Sequence, residues 1–146
     1  MKPSLFTALS MGLALLATGA LAEAEPAKPL ALRGIMQELG RHMQSVALAI
    51  AREDWALVEK TAPLIAEHPQ PPLMEKTRIL GFVGTDMGKY KNHDRKTHEA
   101  AHALAQAAKN KDGMAVIAAF QSVQTGCHGC HREFRKPFVE HFYGAR

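Results

Sequence analysis

The sequence predicts an all-α protein that folds as an antiparallel four-helix bundle. Apolar residues recur in steps of three and four along several segments, which is the spacing of one face of a helix. Only 6% of the 146 residues are aromatic, and alanine and leucine fill most apolar positions, as suits helices better than sheets. A chain of this length makes one domain, and its two cysteines exclude a small protein held together by several disulfides.

The beginning of the chain has the pattern of a secretory signal peptide. Lys2 precedes a mostly apolar run at residues 5–17, and Ala20-Leu21-Ala22 offers small residues to a signal peptidase. A retained membrane anchor is the alternative, but the run is short for a bilayer core of ~30 Å. We therefore predict a signal peptide over residues 1–22 and a single four-helix domain over residues 23–146. The expected location is a bacterial periplasm.

Amphipathic spacing and capping residues define the first two predicted helices. The first helix has an apolar stripe formed by Leu32, Met36, Leu39, Met43, Val46 and Ile50. The second helix begins after Asp54, and the fourth begins after Asp112; both aspartates are expected to be N-caps. Pro63 lies inside the second helix, where we expect it to kink or shorten that helix.

The second half of the chain is predicted to contain the other two bundle helices. Residues 73–92 include three glycines, and we predict only a short helix there, around residues 74–80. The third bundle helix is predicted over residues 93–109, and the fourth over residues 114–135, with Pro137 marking its end. The predicted buried stripe of the fourth helix consists of Ile117, Phe120, Gln124, Cys127, His131 and Phe134.

The fourth predicted helix contains Cys127-His128-Gly129-Cys130-His131, the C-x-x-C-H pattern of covalent haem attachment. Two thiols three residues apart on a helix lie about 60° apart around its axis. Both can therefore form thioethers with the vinyl groups on one edge of a porphyrin. His131 follows directly and can bind the iron from the same helix. The pattern predicts one covalent haem c, held by Cys127 and Cys130, with His131 as the proximal iron ligand.

Two other interpretations of this motif are less favoured. A thioredoxin-like redox pair would place C-x-x-C at the start of a helix beside a strand, and no strand is predicted here. A zinc site could use Cys127, Cys130, His131 and a remote histidine. The sequence lacks a second paired ligand motif at recognisable spacing, so haem attachment is the preferred interpretation.

The segment 127–135, C-H-G-C-H-R-E-F-R, is similar to the C-x-x-C-H-x-x-F/Y-R pattern of the cytochrome c′ family, the class II c-type cytochromes. The resemblance extends over the predicted mature chain in helix order and length. Class I cytochromes c, by contrast, have the haem motif close to the mature N-terminus. The resemblance implies a haem among the helices, with a residue of the first helix covering the other face of the iron.

The resemblance also suggests which first-helix residue this is. The run Met36-Gln37-Glu38-Leu39-Gly40-Arg41-His42-Met43 is similar to the first helix of low-spin members, with Met36 at the ligand position. Met36 is therefore the predicted distal ligand, and Met43, one heptad later, is the second choice. The alternative for both residues is ordinary core packing.

Two arginines and two histidines are further candidates for roles at this site or at a separate metal site. The family often has a propionate-binding arginine where this chain has Leu32, and Arg33 lies about 100° away around the helix. Arg135 matches the family arginine one turn after the haem histidine, but it fits a surface charge equally well. His98 and His102 have a spacing that can chelate a metal, although a solvated helix face is the preferred interpretation.

The predicted function follows from the iron coordination. With His131 and Met36 both bound, the iron is six-coordinate and low-spin, and a sulfur ligand raises the reduction potential. We therefore predict an electron-transfer cytochrome that is not an enzyme. The alternative is a high-spin protein that binds nitric oxide or carbon monoxide at an open distal site. A helical metal-binding or stress-response protein without haem is the third option.

The expected partners are redox proteins of the periplasm, with no nucleic acid and no membrane contact after signal cleavage. Loss of Lys2 lowers the formal net charge from +4 to +3, and two ionised haem propionates would lower it to roughly +1, so long-range steering is weak. The family resemblance also implies a homodimer that forms through the first two helices.

Overall fold

A computed structural model of the chain describes residues 29–144, so the predicted signal peptide at residues 1–22 lies outside the described residues. Within residues 29–144 every regular element is helical, as predicted. The α-helices are α1 (Ala31–Ala51), α2 (Trp55–Ala66), α3 (Leu73–Val83), α4 (Met87–Lys109), α5 (Gly113–Cys130) and α6 (Lys136–Tyr143). A 3-10 turn at Gly84–Asp86 joins α3 to α4, and a π-helical turn at His131–Arg135 joins α5 to α6.

Helices α1, α2, α4 and α5 form the predicted four-helix bundle. Helix α4 packs against both α2 and α5, and α1 packs against α2. Residues 52–54 alone connect α1 to α2, and residues 110–112 alone connect α4 to α5. Connections this short make the joined helices antiparallel neighbours.

The two short connections share one local structure. Glu53 and Lys111 have positive φ angles of 56° and 55°, which end the preceding helices. The next residue in each turn is the predicted N-cap: Asp54 accepts a 3.0 Å hydrogen bond from the backbone N–H of Leu57, and Asp112 accepts one of equal length from Ala115. The ring of Trp55 packs against Gly113, so both turns lie at the same end of the bundle.

Small and branched aliphatic side chains make up the core. Its largest fully buried members are Ile65, Leu104, Val46, Val58, Val116 and Val123. The predicted stripe of α5 was right in part: Phe120 and Cys127 pack against the core. Ile117, Gln124 and His131 are exposed, and the neighbouring Val116 and Val123 are fully buried instead. One position is a rotation of about 100°. A close approach of α5 to α4, described below, determines which face turns inward.

The chain between α2 and α4 is more helical than predicted. Helix α3 extends to Val83, and α4 begins at Met87, well before the expected start at residue 93. Ile79 and Val83 of α3 are buried, and their burial offsets the lower helix stability that the glycines cause. A glycine in an exposed helical position costs only about 1 kcal/mol, which a packed helix can absorb.

The chain also remains helical beyond Pro137, where the fourth helix was expected to end. Pro137 lies in the first turn of α6, where its missing N–H and fixed φ are tolerated. The π-helical turn before it separates α6 from α5, so the haem motif ends α5 and is followed by further helix. Pro63 is likewise accommodated, since α2 continues to Ala66.

Candidate functional site

A cavity of about 610 Å³ lies between the N-terminal half of α1 and the chain that follows the C-x-x-C motif. Its lining is mostly apolar and aromatic. On the α1 side it is formed by Leu32, Arg33, Met36 and Gln37, and on the other side by Tyr90, Cys130, His131, Phe134, Arg135, Phe138, Val139 and Tyr143. Ligand pockets in proteins are typically of this size and composition.

The C-x-x-C-H residues occupy the junction between α5 and the π-helical turn. Cys127 and Cys130 are in the last turn of α5, and His131 is the first residue of the π-helical turn. Cys130 and His131 line the cavity, while the half-buried Cys127 packs against the edge of the core. Isolated π-helical turns occur frequently at functional sites, because they redirect the side chains that follow.

Partial burial keeps these groups uncharged near neutral pH. Burial raises the pKa of the Cys127 thiol, and burial together with the nearby Asp94 carboxylate raises the pKa of Cys130 to about 11. Burial lowers the pKa of His131, and the positive charge of Arg135 lowers it further. A neutral imidazole has a lone pair available for iron, and both cysteines remain thiols.

Two glycines allow the motif to lie directly on α4. A Cβ atom at Gly126 would overlap the Thr97 hydroxyl, and one at Gly129 would lie 2.7 Å from the His93 ring. His93 also lies 3.5 Å from the Glu133 carboxylate, measured from Nε2 to Oε2. Sequence reasoning did not identify His93 or Thr97. The signal that could have found them is the three-residue spacing of Gly126 and Gly129, which leaves one face of α5 without side chains.

Met36 and Met43 share a stripe of α1 but have different surroundings. Met36 is 38% exposed and lines the same cavity as Cys130 and His131. Met43 packs against the hydrophobic core. The structure therefore separates a methionine that faces the cavity from one that contributes to packing.

Two arginines line the cavity. Arg33, a weak match to the family pattern, nevertheless contributes to the wall, and its guanidinium lies 5.9 Å from the centre of the Tyr143 ring. Arg135 lies on the other side. A guanidinium in such a wall can form paired hydrogen bonds with a carboxylate.

Distant parts of the chain hold the first turn of α1 in place beside the cavity. The Glu75 carboxylate of α3 accepts 2.8 Å hydrogen bonds from the backbone N–H groups of Ala31 and Leu32. The backbone N–H of Leu30 donates to the Tyr143 hydroxyl at 3.2 Å. These contacts position the segment that carries Met36.

The preferred interpretation of His98 and His102, a solvated helix face, holds for His102 but not for the partly buried His98. His98 is grouped with His68 and Asp94, and His102 is exposed outside this group. In the part of the chain from residue 29 to residue 144, the cysteines are not gathered with other ligand side chains into a three-residue metal cluster.

The donor set fits a haem c. Two neutral thiols, a neutral imidazole beside them and an apolar cavity on the His131 side are what covalent attachment and iron ligation require. The fold and the site together thus define a c-type haem protein built on a helical bundle.

Comparisons with known proteins identify the family. The sequence profile of the cytochrome c′ family matches residues 31–135, and the chain belongs to that family. A cytochrome c′ of Rhodospirillum rubrum is 28% identical to this chain over 137 residues, which cover 84% of this chain and 92% of that protein. The family binds covalently attached haem c. Between residues 29 and 144, no helix has the length and apolar character needed to cross a bilayer.

Proposed function

We propose that the protein is a periplasmic electron carrier with one covalent haem c and His/Met axial ligation. Cys127 and Cys130 would form the thioethers, His131 would be the proximal ligand, and Met36 the distal ligand. The observation that carries this proposal is that Met36 lines the same cavity as Cys130 and His131.

Bound haem supplies an iron that alternates between the ferric and ferrous states. The protein's contribution would be to hold that iron through the imidazole nitrogen of His131 and the thioether sulfur of Met36 in both states. The aromatic side chains of Phe134, Phe138 and Tyr90 keep water away from the cavity. A site that does not change its ligands on reduction suits rapid electron transfer, and a sulfur ligand raises the reduction potential.

The proposal includes the cellular location, the partners and the oligomeric state of the protein. The pattern of residues 1–22 supports export to the periplasm, where the partners would be other redox proteins. No catalytic step is assigned to this chain. A homodimer through α1 and α2 is compatible with the exposed leucines of these helices, Leu48, Leu57 and Leu64.

A second function, binding of nitric oxide or carbon monoxide, is favoured by one observation. The Met36 side chain is 38% exposed in a cavity of about 610 Å³, so no packing against the core fixes its sulfur. If Met36 does not bind the iron, the distal face has room for a diatomic ligand. Coordination by Met36 therefore decides between the two functions.

The first experiment is visible absorption spectroscopy of the haem-loaded protein in its oxidised, reduced, and reduced carbon monoxide-treated forms. Electron transfer predicts sharp, split bands after reduction and little change on adding carbon monoxide. A broad high-spin spectrum that shifts promptly with the gas would contradict His/Met ligation and favour gas binding.

A matched pair of variants tests Met36 itself. Met36→Leu is expected to convert the low-spin spectrum to high-spin and to allow carbon monoxide binding. Met43→Leu makes the same change one heptad later, among core residues, and is expected to preserve the low-spin spectrum. An unchanged spectrum in Met36→Leu would exclude Met36 as the ligand, and a high-spin Met43→Leu would assign that role to Met43.

A further inference from the structure

Three side chains from two elements converge at a second location, between the end of α2 and the middle of α4. His68 lies in the connection after α2, and Asp94 and His98 are one turn apart on α4. Asp94 Oδ1 is 3.4 Å from His98 Nε2 and 3.9 Å from His68 Nε2. Ligand atoms of all three lie within 4.8 Å of one another. None of the three lines the large cavity.

The His98 ring has an unpaired nitrogen in this cluster. Its Nε2 atom is buried and has no hydrogen-bond partner among residues 29–144, because the 3.4 Å approach to Asp94 lacks hydrogen-bond geometry. An unsatisfied buried polar atom costs about 1–3 kcal/mol. A ligand at this position would remove that cost.

His68 is oriented as metal-binding histidines usually are. Its Nδ1 lies 3.0 Å from the Pro69 carbonyl oxygen, which can only accept, so Nδ1–H donates and Nε2 faces Asp94. A histidine bound to a metal through one nitrogen typically donates its other N–H to a carbonyl or carboxylate. The His68 side chain is only 11% exposed, so its position is fixed before any ligand binds.

We propose that His68, Asp94 and His98 form a binding site for a divalent transition-metal ion, with Zn²⁺ the best match. Two imidazoles and one carboxylate are ligands that zinc accepts, with distances of about 2.0–2.2 Å and a tetrahedral arrangement. Such geometry places neighbouring ligand atoms about 3.4 Å apart. The Asp94–His98 distance already has this value, and the Asp94–His68 distance of 3.9 Å is close to it.

Charge and space are both suited to an ion. The Asp94 carboxylate lies within 4 Å of a ring nitrogen of each histidine, so its negative charge is placed where a cation would bind. His68 also lines a smaller cavity of about 270 Å³, together with Glu38 and His42 of α1. The Asp94 side chain is 52% exposed, so an ion bound beside it can be reached from solvent and can take a water molecule as fourth ligand.

Zinc titration of the haem-loaded protein by calorimetry tests the site. We expect saturable binding of one Zn²⁺ per chain, with no change in the haem absorption spectrum. His98→Ala should weaken this binding at least 10-fold, as loss of a ligand does. His102→Ala removes an exposed histidine from the next turn of the same helix and should bind zinc as the unmodified protein does.

Asp94→Asn provides a second variant with nearly the same shape, in case His98→Ala does not fold. X-ray absorption at the zinc edge should show only nitrogen and oxygen ligands, including two imidazoles. The proposal is wrong if no saturable binding occurs at micromolar zinc, or if both variants bind as tightly as the unmodified protein. Sulfur at about 2.3 Å would also overturn it, because none of the three proposed ligands is a sulfur donor.

Discussion

The bundle core and the cavity end of this molecule are built on different principles. In the core, valines, alanines and a few larger aliphatic side chains such as Leu104 are fully buried. At the cavity end, larger side chains such as Met36, Phe134 and Phe138 face an open volume and remain partly exposed. The first region is completed by the chain's own side chains, whereas the second is shaped for a group that the chain does not supply.

The position of α1 shows the same contrast. Helix α1 packs against α2 but makes few contacts with α5. The cavity lies between the N-terminal half of α1 and the chain that follows the C-x-x-C motif. The hydrogen bonds that backbone N–H groups donate to Glu75 and Tyr143 hold the start of α1 without filling that space. The predictions below test the two regions separately.

The largest expected effect is at the cavity end. In the double variant Cys127→Ser and Cys130→Ser, no thioether can form, so acid–acetone should extract all haem, while the unmodified protein retains it. The far-ultraviolet circular dichroism spectrum should remain that of a helical protein, because the fully buried residues of the core are unchanged. Haem that survives extraction in the variant would contradict the assignment of the two thioethers.

In the core, Leu104→Ala is expected to lower the free energy of unfolding by about 2–5 kcal/mol, the usual cost of removing a fully buried leucine. Urea denaturation of the haem-loaded protein measures this. The control Leu48→Ala changes a side chain that is 50% exposed, and a loss of less than about 0.5 kcal/mol is expected there. Equal losses at both positions would show that Leu48 is covered in solution.

Thiol reactivity gives a pH-dependent test of the haem motif. Burial raises the pKa of Cys130 from 9.0 to about 11, so at pH 8 its thiolate fraction is about 100-fold lower than in an unfolded chain. In the haem-free folded chain, alkylation of Cys130 by iodoacetamide should slow by this factor and should accelerate as pH rises toward 11. The same chain in denaturant is the control, and equal rates would contradict the burial of Cys130.

The smallest expected effect lies where the two regions meet. Gly126→Ala places a methyl group against Thr97 of α4 and should destabilise the protein by about 1–3 kcal/mol, as overpacking does. Gly40→Ala is the matched control, because nothing lies within 4 Å of a Cβ there. Alanine is the better helix former, so Gly40→Ala should stabilise by up to about 1 kcal/mol. Stabilisation by both substitutions would contradict the close approach of α5 to α4.

Features encoded within one helix could be predicted from the sequence. The apolar steps located four bundle helices, and the aspartates before α2 and α5 are the expected caps. The C-x-x-C-H motif pointed to the residues that line one wall of the cavity, because its spacing acts over a single helical turn. The methionine on the opposite wall was indicated by the family resemblance.

Features that depend on two elements could not be predicted in this way. Which face of α5 is buried depends on how closely Gly126 approaches α4, and the stripe alone cannot give that distance. The hydrogen bonds of Glu75 with Ala31 and Leu32 connect residues more than 40 positions apart. His68 joins Asp94 and His98 only because α2 ends beside α4. Each is a property of packing between helices, which periodicity within one helix does not encode.

The contact of Trp55 with Gly113 has a practical consequence for optical studies. Trp55 is the single tryptophan of the chain, and its ring lies beside Gly113, the first residue of α5. Cys130 is the last residue of α5. At 1.5 Å per residue, the length of α5 separates these points by about 25 Å. A chain loaded with haem at Cys130 would thus have a fluorescent donor, Trp55, and a strongly absorbing acceptor, the haem, near opposite ends of α5. Its emission intensity would report the end-to-end length of the bundle as it unfolds, without any added dye.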